Sequence, residues 1–354
     1  MVLVGMLLAG CTSGHRDSSS SGSSIPAASS PTPVSPTGSA SDGTAPIDVR
    51  WFSAGTAWYT PIPLDAPLAP TSPQVTLLLN APDANRIANL VSYAVPVVEA
   101  DPSLPARRLV ITEEGEDRWG HNDLSDVGEV RIPADTTAAP GTDGKLVVID
   151  RAAGRALDLL LVQLDDTTVT ARWGGVYPLD GDGTSRKAVY QGPKPQAFPA
   201  AVSRGTGSGI SSLAGLVTAD DIRSGSIDHA LVFATDRACG PPFDGPAWYP
   251  ATTTDGWVTD EPCIPEGGRL QLDPLIDLDS IALSPGQRMV GEALQKYGAY
   301  CIDNGGSRVG FIFELAADPS VYAAAGLDGD YASMNELPWD GIRLLDPMVT
   351  SSNL

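Results

Sequence analysis

Three histidines, His15, His121 and His229, are the whole imidazole supply of this 354-residue chain. His15 falls in a Ser/Pro-rich stretch, and His121 reads as a solvated residue of the charged loop Trp119-Gly120-His121-Asn122-Asp123. His229 differs because it opens the alternating run 230–234. There His229, Leu231 and Phe233 share one face of a strand, and Ala230 and Val232 share the other. An imidazole at the lip of a sheet can act as a general base over a groove. Tyr300 and Asp303 are its natural partners, the phenol as acid and the carboxylate as orienter. A base and an acid beside one groove are what β-elimination of a polysaccharide requires. Trp248, Tyr249 and Trp257 supply a candidate platform on which sugar rings can stack.

Each of these residues also has a purely structural reading. His229 can be satisfied at the core edge by an aspartate or a backbone carbonyl. Asp303 precedes Asn304-Gly305-Gly306, which is the chemistry of a tight hairpin turn. The three aromatics can pack beneath the loop that carries them.

Other chemistries leave weaker marks. A glycosidase needs two opposed carboxylates, and Asp+Glu at 43 are too plentiful for the sequence to select a pair. The segment Gly205-Thr206-Gly207-Ser208-Gly209 has neither dinucleotide spacing nor a P-loop lysine, so it reads as a flexible loop. No Gly-x-Ser-x-Gly elbow occurs. Zinc is disfavoured because Cys-x-x-Cys and His-x-x-x-His spacings are missing, and no other cofactor is implied. Asp180-Gly181-Asp182-Gly183 resembles a fragment of a Ca²⁺ loop, but the later bidentate glutamate is missing and a plain turn is the simpler reading.

The elements that must position these residues are mostly strands. Apolar runs at 75–79 and 94–98 flank a stretch, 83–91, whose Ile87, Leu90 and Val91 have helical spacing. Runs at 145–150, 156–164 and 169–173, joined by brief turns, predict an antiparallel meander. Further strands are expected at 230–235, 269–272, 299–302 and 309–313. One helix stands out: Ser284 as N-cap, Pro285 in the first turn, an apolar stripe through Met289, Val290, Ala293, Leu294 and Tyr297, and Gly298 as its stop. Many short strands with Gly/Pro turns predict a mainly β fold, an antiparallel β-sandwich of jelly-roll type with one or two packed helices. The globular part runs over 47–354 as a single domain, with 47–100 as a candidate small N-terminal lobe. Jelly-roll polysaccharide lyases place a histidine and a tyrosine near one groove, an analogy of fold alone.

The chain's start reads as an address. A short apolar run at 2–9 ends in Leu7-Leu8-Ala9-Gly10-Cys11, which resembles a bacterial lipobox with Cys11 as the lipidated residue. Residues 1–10 are then a lipoprotein signal peptide, although no Lys or Arg precedes the run, which places the true start upstream. The run is too short to span a bilayer, so acyl chains at about 0.8 kcal/mol per buried methylene would supply the anchor. Residues 11–46 are rich in Ser, Thr, Pro, Gly and Ala and form a disordered tether, reaching on the order of 30 Å. This places the domain on the extracytoplasmic face of the cell membrane, where an oxidising environment favours a Cys239–Cys263 disulfide and leaves Cys301 as a buried thiol. A formal net charge of −21 removes the basic footprint that nucleic-acid binding requires.

Three segments carry a resemblance: Asp228-His229-Ala230-Leu231-Val232-Phe233, then Cys263-Ile264-Pro265-Glu266-Gly267-Gly268-Arg269-Leu270-Gln271-Leu272-Asp273-Pro274, then Tyr297-Gly298-Ala299-Tyr300-Cys301-Ile302-Asp303-Asn304-Gly305-Gly306. Together with the meander and Thr60-Pro61-Ile62-Pro63 they resemble a family of secreted bacterial lipoproteins frequent in actinobacteria. The resemblance implies an exported β protein and carries no activity with it. Two functions therefore stand as expectations. One is recognition or processing of an extracellular glycan, with His229, Tyr300 and Asp303 in one cleft. The other is a non-enzymatic module that binds a partner protein or an envelope component.

Overall fold

The computed structural model describes residues 51–112, 122–185, 204–240, 247–260 and 262–348, all within one compact unit spanning 49–354. Residues 1–10, Cys11, the tether to Pro46, His15 and His121 lie outside the described residues.

The chain begins with helix α1 (Ser72–Leu79) and strand β1 (Arg86–Asn89). It then builds eight strands in succession: β2 (Val97–Glu99), β3 (Arg107–Ile111), β4 (Glu129–Val130), β5 (Leu146–Asp150), β6 (Arg155–Leu160), β7 (Gln163–Leu164), β8 (Thr168–Ala171) and β9 (Trp173–Pro178). The return comprises α2 (Ala219–Ser224), β10 (Leu231–Thr235), β11 (Arg269–Leu272), α3 (Pro285–Lys296), β12 (Ala299–Asn304), β13 (Val309–Ile312), α4 (Ser320–Ala324), β14 (Tyr331–Ser333) and β15 (Ile342–Leu344). Among the described residues these strands form one seven-stranded sheet, β14-β1-β13-β10-β12-β11-β15, and two four-stranded sheets, β2-β5-β6-β9 and β4-β3-β8-β7.

The fold is mainly β with few helices, and the sheets are mixed. The expectation of a purely antiparallel arrangement is corrected here: β1 pairs parallel with β13, β10 with β12, β2 with β5 and β3 with β8. The candidate N-terminal lobe is corrected too, because β1 lies between β14 and β13 inside the large sheet.

Three apolar clusters explain which runs became central strands. In β5, Leu146 and Val148 enter one cluster with Leu109, Ile111, Leu157 and Val169, between the two small sheets. Val147 and Ile149 enter another with Val232, Tyr300 and Ile302, against the large sheet. A strand buried on both faces must be apolar at every position, and Leu146-Val147-Val148-Ile149 is. Strands β10 and β12 behave likewise: Leu231, Phe233, Ala299 and Cys301 face the helices, where Val290 and Leu294 of α3 join them. Helix α3 keeps the expected boundaries, with Ser284 and Gln287 forming a capping box and Gly298 at φ 71° after the end.

The meander spans two sheets rather than one. Strand β6 pairs with β5 and β9, whereas β7 and β8 pair in the other small sheet. The expected run 156–164 breaks at Leu161, whose φ of 54° is left-handed.

Candidate functional site

The large sheet and the small sheet beside it meet in the apolar cluster described above, and polar residues gather at its edge. A cleft of about 710 Å³ lies over β14, β1, β13, β10 and β12. Its lining includes the amides Asn85, Asn89, Asn304 and Asn335 and the rings of Tyr93 and Tyr331. Those rings stack with centroids 6.5 Å apart and planes 26° apart, and Tyr331 is 43% exposed. The Tyr93 hydroxyl lies 3.0 Å from Thr142 Oγ1, which ties the ring to the far wall. Asn89 donates to the Phe311 carbonyl at 3.1 Å, so its amide is oriented by the sheet itself. A second hollow of about 410 Å³ shares Thr142, Asp143, Lys145, Asp303 and Asn304 with the first, and adds Asp255, Arg204 and the chain at 205–207.

Lys145 stands at the junction. Its Nζ is 3.6 Å from Asp303 Oδ2 and 3.7 Å from Asp143 Oδ2. Burial alone would lower its pKa, but Asp303, Asp143 and Asp158 outweigh it and raise the value, so the ammonium stays charged. Asp303 is pushed up to about 6 by burial, with Lys145 opposing and Asp255 reinforcing the shift. Asp158 is also pushed up to about 6 by burial, against hydrogen bonds from the Ser212 amide and the Ser211 hydroxyl. Glu266 rises well above the ordinary carboxyl range, first because it is buried and then because Asp255 is beside it.

Asp255, Glu266 and Asp303 form a compact group, with one carboxylate oxygen from each within 4.8 Å of the others. Asp303 occupies the end of β12, where its Oδ1 accepts from the Gly207 amide at 3.0 Å and from the Asn304 amide at 3.1 Å. Asp255 belongs to the loop closed by the Cys239–Cys263 disulfide, which the structure contains as expected. Asn304 Nδ2 donates to the Asp255 carbonyl and, at 2.8 Å, to its Oδ1, while the Asp255 amide donates to Glu266 Oε2 at 3.0 Å. Cys301 is a buried free thiol, as the sequence suggested.

The glycine-rich segment 205–209 is not the loose loop that its composition suggested. All five of its residues are buried, and the Ser208 amide donates to Ile302. A Cβ at Gly205 would collide with the Asp158 carboxylate, and one at Gly207 with that of Asp255. The glycines are there so that backbone can lie directly against two acids.

The expected trio is not assembled. His229 is at the start of β10 and Asp303 at the end of β12, and the parallel register places Asp303 beside Ala234. Five residues of strand separate them, about 16 Å at 3.3 Å per residue. His229 Nδ1 lies 2.9 Å from the Ala230 carbonyl and Nε2 3.5 Å from Asp221 Oδ2, so its partners are a backbone carbonyl and the capping box of α2. Tyr300 is 0% exposed, packed edge-on against Trp58 at 5.1 Å with the Arg269 guanidinium 5.0 Å from its ring centroid. It is a core pillar beneath the sheet, not an acid facing a groove. Asp303 alone of the three reaches the cleft.

The aromatic platform does not assemble either. Trp248 packs against the helix-side core, Tyr249 is half-buried and Trp257 is 69% exposed. The turn at Asp180-Gly181-Asp182-Gly183 is tied down locally: Asp182 Oδ1 accepts from the Thr184 amide and hydroxyl, and its carbonyl accepts from Trp58 Nε1 at 2.7 Å. Lys145, Asp255, Glu266, Tyr93 and Tyr331 were not selected from the sequence. One signal was present for Glu266, which falls in one of the three segments singled out there while Asp303 falls in another, and these two segments meet at the acidic group.

No family model, curated protein or solved structure matches the chain. The site is therefore read from its own geometry.

Proposed function

We propose that this chain is a lipid-anchored extracytoplasmic protein that recognises a neutral glycan in the cleft between the large sheet and its neighbour. The observation that supports this is the lining. The amides of Asn85, Asn89 and Asn335, the last two oriented by the Phe311 carbonyl and the Arg86 guanidinium, offer donors and acceptors to hydroxyl groups, and the Tyr93–Tyr331 stack offers a flat apolar face at the rim. A sugar ring needs both. The chain's net charge of −21 argues for a neutral rather than a polyanionic glycan. In this reading Cys11 carries the lipid and residues 12–46 hold the domain clear of the surface. A sandwich is proposed only for the two four-stranded sheets that enclose their own apolar cluster, and the jelly-roll analogy no longer supports a lyase.

The test is depletion binding of the chain to insoluble bacterial cell-wall polysaccharide, followed by titration with neutral oligosaccharides. Tyr331→Ala is expected to weaken binding about tenfold, equivalent to about 1.4 kcal/mol of lost stacking. Trp257→Ala, far more exposed but outside the cleft, is expected to change nothing. The opposite pattern would move the binding surface to Trp257 and end this assignment.

A further inference from the structure

Among the described residues, Lys145 is the one cation with a salt bridge to the carboxylates of Asp255, Glu266 and Asp303. Lys145 sits between Asp303 and Asp143, and the Arg204 guanidinium donates to the Gly207 carbonyl and the Thr253 hydroxyl. Glu266 is 1% exposed, and its Oε2 accepts from the Asp255 amide at 3.0 Å. Its other oxygen, Oε1, is buried without a hydrogen-bond donor, and so is Asn304 Oδ1. The Asn304 amide cannot be rotated to relieve this, because its Nδ2 already serves two Asp255 acceptors. A buried carboxylate oxygen left bare is costly. Among the described residues the group is therefore short of hydrogen-bond donors at one place, and the two bare oxygens are an observation separate from the clustering of acids.

We infer that Asp255, Glu266 and Asp303 hold a divalent cation, with Ca²⁺ as the best match. The donors are all oxygens, which selects a hard cation. Oxygens within 4.8 Å of one another fit around one ion at the 2.3–2.6 Å bond lengths that Ca²⁺ takes. Asp255 and Asp303 also line the smaller hollow, so the ion has a route from solvent. This inference is independent of the glycan reading, since either ligand could bind without the other.

The experiment is isothermal titration of the chelator-stripped chain with CaCl₂ and, separately, MgCl₂, together with thermal unfolding in each. One Ca²⁺ per chain and a rise of several degrees in Tm are expected. Asp255→Asn, at a partly exposed position and nearly isosteric, is expected to weaken Ca²⁺ at least tenfold while the variant remains folded. Glu266→Gln should do the same if it folds. Asp182→Asn, in the Asp180–Gly183 turn, should bind as the unaltered chain does. The inference is overturned if millimolar Ca²⁺ gives neither heat nor a Tm shift, if Asp255→Asn binds normally, or if Asp182→Asn abolishes binding. Stability that responds to pH but not to Ca²⁺ would also overturn it, assigning the group to shared protons instead.

Discussion

His229 shows how a residue's chemistry is decided by its neighbours. Both ring nitrogens face acceptors, the Ala230 carbonyl at 2.9 Å and Asp221 Oδ2 at 3.5 Å, and only the imidazolium can donate to both. Burial opposes that charge, but the Asp221 carboxylate and the Ala230 carbonyl outweigh it and raise the pKa. A histidine whose folded pKa is raised stabilises the protein below its ordinary value near 6.5, and that stabilisation is lost as pH rises through the folded value. His229→Gln should therefore lower stability at pH 5.5 by on the order of 1 kcal/mol and have a smaller effect at pH 8.5, as read by thermal unfolding at both. Glycan binding should be untouched. An equal loss at both pH values would mean that His229 acts by packing alone. Histidine type and strand position were legible in the sequence, but Asp221 as its partner was not, because a helix cap on another element supplies it.

Among the elements, patterns that follow local periodicity were readable and those set by the sheet's edges were not. The unbroken apolar run of β5 and the capped stripe of α3 came through because their neighbours demand what their sequences advertise. Residues 75–79 looked like a strand and form part of α1 instead. That helix covers the edge of the sheet: Thr76 Oγ1 donates to the Ile342 carbonyl at 2.7 Å, and the Leu344 amide donates to Ser72 Oγ at 2.9 Å. A polar pair four residues apart on a helix serves the open edge of β15, and this long-range need overrides β propensity. Residues 83–91, with helical spacing, instead supply β1, whose place between β13 and β14 depends on chain more than two hundred residues away.

The split of the meander has a testable cause. Leu161 adopts φ 54° so that β6 can end and the chain can cross into the other small sheet, with its amide donating to the Asp143 carbonyl. A left-handed leucine costs roughly 1–2 kcal/mol, and this residue is 41% exposed, so it is not a core side chain. Leu161→Gly is expected to leave the fold intact and raise stability by about 0.5–1 kcal/mol in denaturant unfolding, the relieved strain exceeding glycine's entropic cost. A destabilised variant would show that Leu161 earns its place by packing at the rim of the smaller hollow.

At the scale of the whole molecule, the mainly β class, the disulfide and the buried Cys301 were legible, whereas the mixed sheets were not. Parallel pairings join strands distant in sequence, and no turn signature marks them. The cleft was hidden for the same reason. Its lining draws Asn89 from β1, Asn304 from β12, Tyr331 from β14 and Asn335 from just beyond it, and only the completed seven-stranded sheet brings them together. No helix among the described residues is long and apolar enough to cross a membrane, so the proposed attachment rests on Cys11 and the tether. The most direct measurement of the central claim is a crystal structure of the chain soaked with a neutral cell-wall oligosaccharide. The account predicts a sugar ring against the Tyr93–Tyr331 stack with its hydroxyls on Asn89 and Asn335. Sugar bound at Trp257, or an unchanged cleft at saturating oligosaccharide, would contradict it.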